Sequence, residues 1–143
     1  MAKILILEDD IDLASQWSEA LIECSHIVIV AIDVKEANNI IRSEQFDLII
    51  VDFFIRKPHG LLKEGGLTLI SRLRIPRPPD DHDWGKTVPI LSVTGSRPLG
   101  PGFDPLVSAM ALGSDRGLRK PFLIEELVEI VDEMLSMPIV DER

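Results

Sequence analysis

The sequence predicts an α/β domain built on an open parallel sheet, and three observations carry that expectation. Short runs of Ile, Val and Leu without polar alternation recur along the chain, as strands buried on both faces require. Segments with helical spacing of apolar residues stand between them, so strand and helix alternate five times. Several runs end on a polar residue able to do chemistry, at the sheet edge where such folds bind ligands.

The first run is Lys3 to Leu7, inside KILILEDD. Ile27 to Ile32, Leu48 to Phe53 and Ile90 to Val93 follow, and Gly117 to Arg119, lying between Gly113 and Lys120-Pro121, reads as a short edge strand. After the first run, Asp10 or Asp12 can cap a helix whose Leu13, Trp17, Leu21 and Cys24 share one face. Val34, Ala37, Ile40 and Ile41 mark a second helix, and Leu67, Leu69, Ile70 and Leu73 a third. Leu106 to Leu112 gives a short fourth, ended by Gly113; Ile124 to Met137 gives a fifth, apolar at 124, 127, 128, 131, 134 and 135. Five βα units in succession imply right-handed crossovers with helices on both faces of the sheet. Trp17 falls on a core face, and Trp84 is expected to anchor its own loop.

A chain of 143 residues, 45% hydrophobic and 27% charged, suits one domain over 1–143 with no output domain attached. Twenty-four acidic against fifteen basic residues give a net charge of −9, which disfavours direct nucleic-acid binding and anionic membranes. Cys24 is the single cysteine, so no internal disulfide forms, and the N-terminal apolar run is too short for a signal peptide or a membrane span. A cytoplasmic location is the expectation.

The strand ends supply the candidate site. The first ends at Glu8-Asp9, the third at Asp52, the fourth at Thr94-Gly95 and the fifth at Lys120-Pro121. Three carboxylates gathered at one edge repel, so a cation or raised pKa values must offset the charge. Oxygen donors without a thiol or imidazole nearby point to Mg2+, leaving Lys120 and Thr94 to meet an anion on the metal. Plainer readings compete: Glu8, Asp9 and above all Asp10 as helix caps, and DDHD at 80–83 as an exposed acidic loop.

Taken together, KILILEDD, FDLIIVD, PILSVTG and ALGSDRGLRKPF resemble the receiver domains of two-component response regulators, over Lys3 to about Met137. The resemblance implies a flavodoxin-like (βα)5 fold, a doubly wound parallel sheet with strand order 2-1-3-4-5. It implies Asp52 as the phosphoacceptor, a Mg2+ ion held by Glu8, Asp9, Asp52 and the backbone carbonyl of Phe54, and Lys120 and Thr94 contacting the phosphoryl oxygens. It also implies a histidine kinase or phosphotransfer protein as donor, self-catalysed transfer and hydrolysis as the sole chemistry, and an unknown downstream protein target.

Departures from that pattern are plain. About six extra residues follow Asp52, so that 55–66 is longer than an ordinary loop, and 76–88 and 96–105 are long and rich in Pro and Gly. Gly117 stands where receivers commonly carry an aromatic residue that couples the site to the outer face. Ile130 and Met137 widen the apolar stripe of the fifth helix, and Ile139 and Val140 extend it, so a partner or a second copy forming a homodimer is an expected occupant there. Other classes fit less well. Asp10-Ile-Asp12 is followed by Leu13 rather than the Thr or Val of a haloacid-dehalogenase-like phosphatase, and neither GxGxxG nor a Ser/Thr-rich phosphate loop is found. The serious alternative is a receiver-fold interaction module that phosphorylation does not regulate.

Overall fold

In the computed structural model, which describes residues 1–52, 55–56, 62–63, 65–77, 83–95 and 104–137, the apolar runs form strands where expected. The strands are β1 (Lys3–Leu7), β2 (Ile27–Ala31), β3 (Leu48–Asp52), β4 (Ile55–Arg56), β5 (Leu62–Lys63), β6 (Ile90–Thr94) and β7 (Arg116–Arg119). Five of them pair in parallel in the order β2-β1-β3-β6-β7, which is 2-1-3-4-5 when the sheet strands are counted by themselves. This is the doubly wound, flavodoxin-like (βα)5 arrangement that the sequence predicts.

Burial explains the composition of each strand. Every residue of β3 and β6 is buried, so neither shows polar alternation. At the edges, β2 is only half-buried and β7 alternates between half-buried and exposed positions, which is why Arg116, Gly117 and Arg119 are tolerated there. Alternation divides the core in two. Leu5, Leu7, Ile49, Val51 and Ile90 face one side, packed with Val34, Ala37, Ile41, Leu69, Ile70, Leu73 and Ala109. Ile4, Ile6, Leu48, Ile50, Leu91 and Val93 face the other, packed with Trp17, Leu21, Leu127, Val131 and Met134.

The helices supply those layers. They are α1 (Ile11–Glu23), α2 (Val34–Ser43), α3 (Gly66–Arg74), α4 (Pro105–Leu112) and α5 (Ile124–Ser136); α1 and α5 lie together on one face, and α2, α3 and α4 on the other. Of the two candidate caps of α1, Asp10 is the one used: its carboxylate accepts from the backbone N–H groups of Asp12 and Leu13. Asp33 caps α2 and Asp104 caps α4 in the same way. Gly113 ends α4 as expected, with φ 123°, a conformation costly for any residue bearing a Cβ.

Several expectations are corrected. Cys24 is exposed, because α1 stops one residue earlier and Cys24 caps its end. Leu67 points outward at 43% exposure although its neighbours Leu69, Ile70 and Leu73 are core. Ile130 is half-buried and packs against the α1/α5 core, so it does not widen an outer stripe; Met137 is exposed, and Ile139 and Val140 lie outside the described residues. In the insertion after Asp52, β4 and β5 pair antiparallel with Ile55 opposite Lys63 and Arg56 opposite Leu62, where only loop was expected. A two-residue ladder leaves no periodic signal in a sequence. Trp84 sits in a 3-10 turn, Asp83–Lys86, and its ring packs 6.1 Å from that of Phe46, so it anchors its segment to the core. Of DDHD, Asp83 pairs with Lys86 at 3.0 Å, and 80–82 lie outside the described residues, as do 57–61, 78–79 and 96–103 of the long stretches.

Candidate functional site

Parallel pairing of β1 with β3 decides where the acids meet. Leu7 stands opposite Val51, so the next residues, Glu8 and Asp52, leave the sheet side by side at its carboxyl edge. Both follow the alternation of Ile4 and Ile6, and of Leu48 and Ile50, onto the α1/α5 side. The point is also where the strand order reverses, since β1 leads outward to β2 while β3 leads to β6 and β7. Asp52 is level with Val93 on β6, which puts buried Thr94 and then Gly95 at the same edge. Beyond β7, the Lys120 backbone N–H donates to the Thr94 carbonyl at 2.8 Å, which brings that lysine in.

The side chains converge accordingly. Lys120 Nζ donates to Glu8 Oε1 at 2.6 Å and to Asp52 Oδ2 at 3.2 Å. Glu8 is 0% exposed and Asp52 4%. Glu8 Oε2 also accepts from the backbone N–H of Asp10 at 3.2 Å. One carboxylate oxygen from each of Glu8, Asp9 and Asp52 lies within 4.8 Å of the others. Of the residues expected at the site, Glu8, Asp9, Asp52, Thr94 and Lys120 are gathered at one edge, whereas Phe54 lies outside the described residues.

Charge follows from this packing. Burial, and then the negative charge of Asp52, pushes the Glu8 carboxyl up to about 8 despite its hydrogen bond from Lys120. Burial pulls the Lys120 ammonium down, but Glu8 and Asp52 together outweigh it and hold it above the ordinary lysine value. The site holds three carboxyl groups and one ammonium, so once Glu8 gives up its proton negative charge is left that a cation would neutralise. The donors are all hard oxygens, with the exposed Cys24 removed to the far end of α1, so the set fits a hard divalent metal rather than a thiolate or imidazole site.

One participant was not expected. The Trp17 ring lies 5.5 Å from Lys120 Nζ and 5.5 Å from the Phe122 ring, with the two rings inclined by 34°. The helical pattern marks Trp17 as core, which it is at 2% exposure, but no spacing rule tells that its ring faces a lysine 103 positions away. Next to Lys120, Arg119 pairs with Asp104, the cap of α4, and holds that carboxyl below its ordinary range.

No family model matches the chain. Among curated proteins it is similar to the virulence transcriptional regulatory protein PhoP of Salmonella typhimurium, 30% identical over 128 residues that cover 90% of this chain and 49% of PhoP. It is likewise similar to the transcriptional regulatory protein CiaR of Streptococcus pneumoniae, 30% identical over 139 residues covering 95% of this chain and 52% of CiaR. The chain thus spans about half the length of the curated relatives it matches. Among solved structures, the chemotaxis protein CheY4 of Vibrio cholerae superposes with TM-score 0.75 at 26% identity, over 94% of this chain and 98% of that one. Among the described residues no helix is long and apolar enough to cross a membrane.

Proposed function

Because the chain is a receiver domain of two-component response regulators, we propose that it accepts a phosphoryl group from a phosphohistidine onto Asp52 and signals by protein contact. The observation that carries this reading is the Lys120 ammonium bridging Glu8 and Asp52 at 2.6 and 3.2 Å in a buried pocket. Acids that merely cap helices stay solvated and recruit no lysine from the far end of the sheet.

In the transfer, an oxygen of Asp52 forms a bond to phosphorus as the phosphorus–nitrogen bond of the donor breaks. The departing imidazole nitrogen keeps the electron pair and is protonated from solvent. Asp52, fixed at the end of a buried strand, needs little reorganisation to attack in line, which is most of what a protein contributes to such a reaction. Lys120 supplies positive charge to the phosphoryl oxygens, and Thr94 donates a hydrogen bond to them. Gly95 adds no bulk beside them; even an added Cβ there would stand 3.7 Å from the Lys120 chain. Glu8, Asp9 and Asp52 would hold Mg2+, which when bound draws negative charge from the phosphoryl oxygens and offsets the carboxylate repulsion. Hydrolysis by water then returns free Asp52 and inorganic phosphate.

A histidine kinase or phosphotransfer protein is the proposed donor, and a downstream protein is proposed to read the signal by contact. The test is intact-mass analysis after incubation with a small phosphodonor, with and without Mg2+. Wild type should gain one phosphoryl group only with Mg2+, and Asp52→Asn should gain none. A wild type that gains nothing leaves an interaction module not regulated by phosphate; a modified Asp52→Asn places the acceptor elsewhere.

A further inference from the structure

The lysine at this site is confined on several sides. Its ammonium meets Glu8 and Asp52, its stem runs past Gly95, and the Trp17 ring lies 5.5 Å from Nζ. Trp17 itself is immobilised: it is buried in α1, and the Phe122 ring packs 5.5 Å away. Phe122 lies two residues beyond Lys120, so one short segment delivers both the ammonium and the ring that braces Trp17. A lysine side chain has four rotatable bonds and much rotamer freedom to lose. An aromatic ring with a cation this close attracts it electrostatically, and Trp does so best of the aromatic residues.

We infer that Trp17 is a positioning residue for Lys120, aiming the ammonium at the group bound on Asp52 and so setting the rate of phosphoryl acceptance. This rests on the reading of Asp52 as the acceptor. Trp17 does not touch the reacting atoms; it acts through the lysine.

The prediction is a graded and coupled loss. Initial phosphorylation rates from a small phosphodonor should fall about tenfold in Trp17→Leu and about threefold in Trp17→Phe, following the ring's hold on the cation. In a Lys120→Met background, Trp17→Leu should add no further loss, because its intermediary is already gone. Independent multiplication of the two losses would mean that Trp17 serves packing alone and would overturn the inference, as would Trp17→Phe and Trp17→Leu falling equally. A second readout needs no phosphorylation. The chain has two tryptophans, so a Trp84→Phe protein isolates Trp17 emission. Lys120→Met in that protein should shift the intensity at pH 7 in metal-free buffer, and an unchanged spectrum would sink the proposed contact. Should wild type fail to be phosphorylated at all, the acceptor reading falls, while the spectrum still decides whether Trp17 and Lys120 are coupled.

Discussion

Glu8→Gln should make the metal-free protein more stable at pH 8, although it removes one side of an ion pair. Glu8 is wholly buried beside Asp52, and its carboxyl is pushed up to about 8 from 4.5. A carboxyl whose folded value lies above its unfolded value contributes no penalty below about pH 4.5, where both states hold the proton. Between 4.5 and 8 the unfolded chain releases that proton while the folded chain keeps it, so stability falls as pH rises; above 8 the penalty is complete. At 1.36 kcal/mol per pH unit the full penalty is at most about 5 kcal/mol. Gln imitates the protonated acid but makes a weaker contact with Lys120, so the expected gain at pH 8 is about 2–4 kcal/mol, vanishing near pH 4.5. Urea denaturation in EDTA from pH 4.5 to 9 reads it as a midpoint shift at constant slope. Mg2+ should raise the wild-type midpoint more at pH 8 than at pH 6 and do little for Glu8→Gln, because metal ligation needs the deprotonated acid. If Glu8→Gln were less stable than wild type at pH 8, the pairing of Glu8 with Lys120 would outweigh burial and repulsion, and the reasoning would be wrong.

Two further outcomes follow from packing. Arg74→Met should cost about 3 kcal/mol in urea denaturation, because the 7% exposed guanidinium donates to Gly113 O, Gly85 O and Asp115 Oδ2, each at 2.9 Å, and all three acceptors lose that donor; a loss below about 1 kcal/mol would show that water replaces it. Gly117→Phe should destabilise by about 1–3 kcal/mol and speed amide exchange in α4, since even a Cβ at that position would stand 3.1 Å from Leu106 Cδ2. Exchange in α4 unchanged by Gly117→Phe would mean the ring finds room without moving Leu106.

What the sequence reveals is what burial imposes on composition. β1, β3 and β6 are legible because a strand covered on both faces admits little else but aliphatic residues, and the acids at their ends are legible because parallel register carries Glu8 and Asp52 to one edge. Helix spacing gives an angle around an axis but not the distance to the neighbouring element. Cys24 and Ile130 were misplaced for that reason: the first lies one residue past the end of α1, and the second faces a core broad enough to include it. Arg74 is illegible for another reason. An arginine in the last turn of a helix reads as solvated, and only tertiary structure shows it tying α3, the turn at Asp83–Lys86 and the end of α4 to the start of β6.

The missing aromatic at 117 has a structural counterpart in α4. Leu106 fills the space over Gly117, so near that a Cβ there would lie 3.1 Å from its methyl group. Asp104, two residues earlier, caps α4 and pairs with Arg119, the neighbour of Lys120. The start of α4 is therefore held to β7 by an apolar contact and an ion pair, and the backbone that holds it continues directly into the hydrogen bond from Lys120 to Thr94. An aromatic side chain could change rotamer while the helix stayed still. Here the tie to β7 runs through the cap of α4 as well as through the Leu106 side chain, so the first turn of the helix is part of it. On the proposed reading of Asp52 as the acceptor, a displacement of Lys120 or Thr94 is expected to reach the outer face as a shift of α4 against β7.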